Sequence, residues 1–340
     1  MVWLTLRQHR LVLATVVLGA IVLAVATVII VDFGQRTRIE LGVDSCRPTP
    51  FTNLNCYELD QEWRDRIGYW RYIFLAFLVV PAVVASYVGG PLFARELERG
   101  THRLVLTQTI SRLRWAATKL GVVLAVALAA GAVLTLVGGR SRELMSGTFG
   151  PSGQRPWDAF DLEGPALLGF MVFGVAAAAF IGAWQKRILT GMFVGLLVFG
   201  LVRLGVGQLR PQYETPVAVK LVPSIPVTSL APFTALTPLT PLVPADAWVV
   251  GYDAVDGAGR PVPAERVRAL IDEFGRAGCR AGPLACDSVA YLNQRDVYQR
   301  QLYQPADRYW RFQAIEGAIY LALTILLVTL TLLIVKRRDA

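Results

Sequence analysis

Leu11–Val31 reads LVLATVVLGAIVLAVATVIIV, an unbroken run of twenty-one residues without a single charge, and this stretch decides the fold class. A helix needs about 20 apolar residues to cross roughly 30 Å of hydrocarbon. A soluble helix buries one face and keeps charges on the other, a pattern absent here. The run is too long for the apolar region of a signal peptide and lacks a convincing cleavage site, so it is expected to be retained. Five further stretches read the same way: Tyr72 to about Leu92 with Pro81 inside it, Leu120–Val137, Pro165–Trp184, Ile188 to about Gly207 carrying Arg203, and Ile315–Val335 carrying Glu316 at its start. The expected fold is an all-α polytopic membrane protein with six transmembrane helices. Composition agrees, since 54% of the 340 residues are hydrophobic and only 17% charged, against about a quarter charged in soluble domains.

Orientation follows from where the basic residues fall in the short connections. With the N-terminus cytoplasmic, the inner segments are 1–10, 89–119, 185–187 and 336–340. They hold 13 Lys/Arg against three acids, Glu96, Glu98 and Asp339, whereas the rest of the chain holds 21 against 22. Nearly the whole net charge of +9 therefore sits on one side. The expected topology is N-in and C-in, in a bacterial cytoplasmic membrane. This placement also argues against nucleic acid as a partner, because no basic stripe interleaved with aromatics exists.

The four cysteines fit that orientation. Cys46 and Cys56 fall in the outer loop 32–71, and Cys279 and Cys286 in the outer segment 208–312. Disulfides persist outside the cytoplasm, and two close pairs suit Cys46–Cys56 and Cys279–Cys286. Four cysteines allow three connectivities, and unpaired thiols are the alternative. Segment 208–312 divides in two. Ten prolines between Pro211 and Pro263 exclude long helices and favour extended or edge-strand backbone. Beyond Pro263, the spacing of Val267, Leu270, Ile271 and Phe274 predicts a helix. A second helix is expected from Ser288 to about Leu302. The organisation expected is therefore spans one to five over 1–207, a small disulfide-closed cap over 208–312, and span six with its basic tail over 313–340.

Enzyme chemistry finds no foothold in the sequence. Thr118, Gln185, Val219 and Val335 precede the four lysines, so no Gly-Lys and no phosphate-binding loop exists. His9 and His102 have no partners at metal-ligand spacing, and no Gly-x-Ser-x-Gly turn offers a nucleophile. Asp158, Asp161 and Glu163 form an acidic group in the outer connection between spans three and four, read as a solvated loop.

Residues 91–119 read PLFARELERGTHRLVLTQTISRLRWAATK. Glu96, Glu98, Gly100, Thr101, Leu104, Leu106, Thr107, Gln108, Ser111, Arg112, Trp115 and Lys119 fall in a pattern that resembles the ABC type-2 exporter permease family. Val202–Leu204, Leu209–Pro211 and the approach to the last span, Tyr303–Glu316, look like the same family. The resemblance implies a transport subunit, not an enzyme, that moves a hydrophobic or amphipathic compound (drug, antibiotic or lipid-like) outward. It implies a homodimer, or a pair with a similar permease, beside two copies of a separate P-loop ATPase that carries ATP and Mg. Residues 91–118 would then be the segment that docks into the ATPase, with Arg95, Glu96, Glu98, Gly100, Thr101, Arg103, Thr107, Gln108, Ser111 and Arg112 at the coupling site. Glu96 and Glu98 are expected early in a helix, at its positive end. Leu104, Leu106, Ile110, Leu113 and Trp115 are expected on one apolar side. A basic interfacial anchor without a partner is the plainer reading of that pattern. At the opposite end an Arg203–Glu316 ion pair is expected to tie spans five and six, an Arg near the interface otherwise snorkelling to water or marking a pathway. A membrane anchor or sensor with a ligand-binding outer cap is the alternative for the whole chain.

Overall fold

The computed structural model describes residues 2–46, 54–68, 70–98, 111–145, 157–221, 223–224, 237–238, 244, 246–276 and 288–337. These divide into two compact units, the first holding residues 1–149, 155–213 and 309–340 and the second residues 150–154 and 214–308.

Among the described residues six helical stretches, in the first unit except for residues 306–308, are long and apolar enough to cross a membrane: Thr5–Glu40, Leu75–Glu98, Arg112–Arg142, Gly164–Gln185, Ile188–Gln212 and Ala306–Arg337. α1 (Val2–Glu40) shows how such a helix divides its surface. Leu13, Val16, Ala20, Leu23, Thr27 and Val31 recur at helical spacing and are buried, while Leu11, Leu18, Val22, Val25 and Ile29 are exposed. The buried stripe packs on α5 (Arg112–Met145), and the exposed one is the side an apolar solvent would cover. α2 (Leu54–Arg66) is a short polar helix whose Trp63 is buried with Val31, Ile67 and Leu144, its indole N–H donating to the Gly34 carbonyl at 2.9 Å.

The second span is composite. α3 (Trp70–Val84) carries Pro81, passes into a π turn over Ala85–Gly89, and continues as α4 (Pro91–Glu98). Pro81 and Pro91 each remove a backbone donor, and Pro91 is tolerated because it stands at a first helical position. α6 (Gly164–Gln185) lies at the centre, buried nearly all round against α5, α7 (Ile188–Leu209), α10 (Tyr309–Arg337) and the second span. Its start is unusual. Glu163 makes no cap and Gly164 sits at φ +76°, so the amide of Gln313 from α10 takes the capping role. Gln313 Oε1 accepts the Ala166 N–H at 3.0 Å and Nε2 donates to the Phe160 carbonyl at 2.6 Å.

The second unit corrects the all-α expectation. β1 (Val217–Leu221), β4 (Trp248–Val255) and β5 (Tyr298–Gln304) form an antiparallel sheet in the order β1-β5-β4. The pair β2 (Pro223–Ser224) and β3 (Thr237–Pro238) stands beside it as a second sheet. α8 (Ala264–Arg276) covers a small core of Leu270, Ile271, Phe274, Leu292 and Val297. The second expected helix is shortened to α9 (Ser288–Gln294). Asp296 turns the chain at φ +56° and accepts the Gly257 N–H at 2.9 Å. Residues 298–304 then run as a strand, because all pair with β4 and 299–303 pair with β1 as well, Arg300 adding a 2.8 Å ion pair with Asp253 opposite. Cross-strand pairing outweighs the weak helical pattern of this polar stretch. The side chains of Cys46 and Cys56, and all of Cys279 and Cys286, lie outside the described residues, as do the expected disulfides.

Candidate functional site

At the end of the bundle that carries both termini, α4 is clamped on three sides. Its entry, Gly89–Gly90, lies where three backbones meet. A Cβ on Gly90 would stand 2.8 Å from the Met192 nitrogen of α7, and one on Gly191 2.8 Å from Gly182 of α6 and from the Gly90 carbonyl. Only glycines permit this approach. Ser86 in the π turn adds a 3.3 Å bond from its hydroxyl to the Met192 carbonyl. Near the other end of α4, Glu96 pairs with Lys119 of α5, whose side chain is 2% exposed and whose ammonium lies 5.0 Å from the Trp115 ring centroid. Trp115 in turn meets Phe93 of α4 edge-to-face at 5.6 Å. Glu98 accepts the Ile188 N–H, the first helical amide of α7, at 3.1 Å.

This arrangement corrects the expected position of the two acids. Pro91 begins the helix, so Glu96 and Glu98 fall in its last turn, at the negative end of the dipole. Each is compensated from another helix: Glu96 by the Lys119 cation, Glu98 by the positive N-terminus of α7. Ser111, although exposed, has a local structural role, capping α5 by accepting the Arg114 N–H at 3.3 Å. Of the other residues at the expected coupling site, Arg95 is exposed and Arg112 half-buried. Gly100, Thr101, Arg103, Thr107 and Gln108 lie outside the described residues, as do Leu104, Leu106 and Ile110. Leu113 and Trp115 do not share a face as expected, for Leu113 is 45% exposed and Trp115 7%. Among the described residues, exposed cations here include Arg95 and Arg114, joined by Lys186 and Arg187 in the turn between α6 and α7. Lys186 closes that turn in the left-handed region at φ +57°, its N–H donating to the Gly182 carbonyl at 3.0 Å.

At the opposite end the structure places Arg203 of α7 3.1 Å from Glu316 of α10. The pair is half of a larger group. Arg210 donates to both Glu316 oxygens, at 2.9 and 3.0 Å. Asp161, in the 3-10 segment Trp157–Leu162, receives both guanidiniums on one oxygen, each at 2.7 Å. Arg203 stacks on Phe170 at 4.2 Å and Arg210 on Phe160 at 3.9 Å. Burial works to raise the Asp161 carboxyl, but the two guanidiniums outweigh it and hold it below the usual carboxylate range. Beside this group Glu163, 3% exposed, pairs with Arg142 of α5 at 2.7 Å and accepts the Tyr309 hydroxyl at 2.8 Å. The solvated-loop reading of these acids is thereby corrected for Asp161 and Glu163, while the side chain of Asp158 lies outside the described residues. Phe160 and Leu162, 1% and 0% exposed, carry the segment into the bundle. Sequence offered one signal for this, the alternation of large apolar residues with acids over Trp157–Glu163.

The fold defines a multi-pass membrane protein in which a short helix at one end is locked into three spans and a charged group joins three elements at the other. Residues 13–210, from α1 through the end of α7, match the family described as ABC-2 membrane transporter related, and the chain belongs to that family. Neither a curated protein nor a solved structure matches the chain.

Proposed function

We propose that this chain is the permease subunit of an ABC exporter, working as a homodimer or with a similar subunit beside two P-loop ATPase chains that supply ATP and Mg. It sits N-in and C-in in a bacterial cytoplasmic membrane, and it moves a hydrophobic or amphipathic compound outward. Cys46–Cys56 and Cys279–Cys286 close its outer loops. Family membership supports an ATPase partner in general. The observation that carries the reading is the clamp on α4. A helix held by Glu96 to α5, by Glu98 to α7, and by glycine contacts to α6 cannot move without moving those spans. A push delivered to the termini-bearing end is therefore passed into the bundle as a rigid displacement, which is what a partner's ATP-driven closure requires. A sensor or anchor has no use for such a linkage.

The clamp separates docking from structure. Glu96 is engaged by Lys119, Glu98 by the first amide of α7 and Ser111 by the start of α5, which leaves Arg95 and Arg112 as the cations to test on the basic surface. The C-terminally tagged chain, extracted from native membranes, is expected to recover a P-loop ATPase identifiable by mass spectrometry. The double variant Arg95→Glu/Arg112→Glu is expected to lose it while keeping the elution profile of the wild-type permease. Intact preparations that reproducibly lack an ATPase would sink the permease reading and favour the sensor.

A further inference from the structure

The charged group at the end remote from the termini joins elements that differ in how they are anchored. Arg203 belongs to α7 and Arg210 to the 3-10 turn Arg210–Gln212 that follows it directly, while Glu316 belongs to α10. Glu316 is fully buried and engages Arg210 through both oxygens. Asp161 belongs to a six-residue 3-10 segment, its side chain is 25% exposed, and it holds both arginines through a single oxygen. Asp161 is thus the member that can leave while the other three stay paired.

The segment around it has a further polar tie to α10, the Phe160 carbonyl accepting Gln313 Nε2 at 2.6 Å, which opening must also release. It rests on Gly138 of α5, where any Cβ would overlap the Leu162 carbonyl. Trp157 and Phe160 stack at 6.0 Å, and both meet Tyr309 in T-shaped contacts, as Trp157 also does Phe312. Its C-terminal boundary is fixed and jointed at once. Glu163 is tied to Arg142 and Tyr309, and Gly164 follows at a positive φ.

We propose that Trp157–Leu162 is an outer lid, latched closed by Asp161 on the Arg203–Arg210 pair and hinged at Glu163–Gly164, which leaves its seat when the exporter opens outward. This rests on the permease reading. The chemistry of the latch suits a reversible closure. A purely apolar plug of this size would strongly favour the closed state, since opening would only expose apolar surface. Buried ions pay a desolvation penalty on closing and regain hydration on opening, so the charges bring the two states closer in free energy. Leaving Glu316 behind keeps the arginines from facing each other unscreened while the lid is away.

Hydrogen–deuterium exchange of the full-length protein in lipid nanodiscs tests this in two arms. In the isolated permease, Asp161→Asn is expected to speed amide exchange over 157–162 by about tenfold, the response of a locally opened segment, with exchange in the α6 core over 170–183 unchanged. A folded D161N protein with wild-type exchange over 157–162 overturns the latch. If D161N does not yield folded protein, Gly138→Ala displaces the same segment without altering charge and is expected to give the same local rise; its absence is equally fatal. In the complex with the ATPase, trapping with a non-hydrolysable ATP analogue is expected to raise exchange over 157–162 in the wild type. Unchanged exchange in a trapped, ATPase-bound complex makes the segment a static plug and overturns the lid while the permease reading stands. A preparation that contains no ATPase at all overturns the permease reading itself, and the outward gate falls with it.

Discussion

Lys119 lies in the third apolar span with 2% of its side chain exposed, beside a Trp115 ring and a Glu96 carboxylate that is itself mostly covered. An ammonium in that position is tolerated only because its partner is present: desolvating either charge alone costs several kcal/mol, and the attraction between them offsets that cost. The energetics are asymmetric. Lys119→Met strands a carboxylate and Glu96→Gln strands an ammonium, and each is expected to destabilise the protein by about 3–5 kcal/mol, the range for breaking one side of a buried pair. The double variant Glu96→Gln/Lys119→Met leaves neither charge behind and is expected to recover most of that loss. Thermal melting followed by size-exclusion of detergent-solubilised protein reads all three. A double variant as unstable as the singles would mean that Lys119 matters for something other than this pair.

Among the elements, the second span, α6 and α7 meet through glycines, and the positions of those glycines separate packing from propensity. A Cβ on Gly182 would overlap the Gly90 carbonyl, whereas Gly200 and Gly205, on the same α7 that carries Gly191, have nothing within 4 Å. Gly182→Ala is therefore expected to destabilise by about 1–3 kcal/mol, the usual cost of overpacking. Gly205→Ala, adding a helix former in open space, is expected to be neutral or to stabilise by up to about 1 kcal/mol. Melting temperatures moving the same way for both would show that contact plays no part. The difference between the two glycines marks the boundary of what a sequence discloses. The six spans were legible because length and apolar uniformity are local properties, and so was α8, whose Val267, Leu270, Ile271 and Phe274 keep helical spacing. Gly191 and Gly195 stand four residues apart, a spacing that permits close helix approach, but nothing local in the sequence says that Gly191 meets Gly182 and Gly90 and that Gly195 meets Ala178. Glu96 and Glu98 were read at the wrong end of their helix because the restart at Pro91 after a π turn has no periodic signature. Asp161 and Glu163 were read as solvated because their burial depends on Arg142, Arg203, Arg210 and Tyr309, all distant in the chain. β5 was missed for a related reason, since a strand whose buried positions include Gln299 and Gln301 shows no apolar alternation.

For the molecule as a whole, the decisive quantity is the asymmetry of charge across six spans. An even number of spans puts both termini on one side, and 13 basic residues against three acids fall on that side by the sequence reading. Pairing of Lys119 with Glu96 removes one charge of each sign from that surface and leaves its excess intact. On the N-in, C-in topology proposed from the positive-inside bias, the termini, α4 and the turn at Lys186–Arg187 are expected to face the cytoplasm, where an ATPase would be. The same proposed topology assigns residues 214–308 and the connection that carries Asp161 to the outside. Both assignments stand or fall together, because the parity of the helices links them. Protease added to intact spheroplasts is expected to cut within 214–308 and to leave a C-terminal tag protected until the membrane is permeabilised. Digestion of the tag in sealed spheroplasts, with 214–308 spared, would invert the molecule. The clamped helix would then face away from any cytoplasmic ATPase, and α4 could not be the element through which ATP is felt.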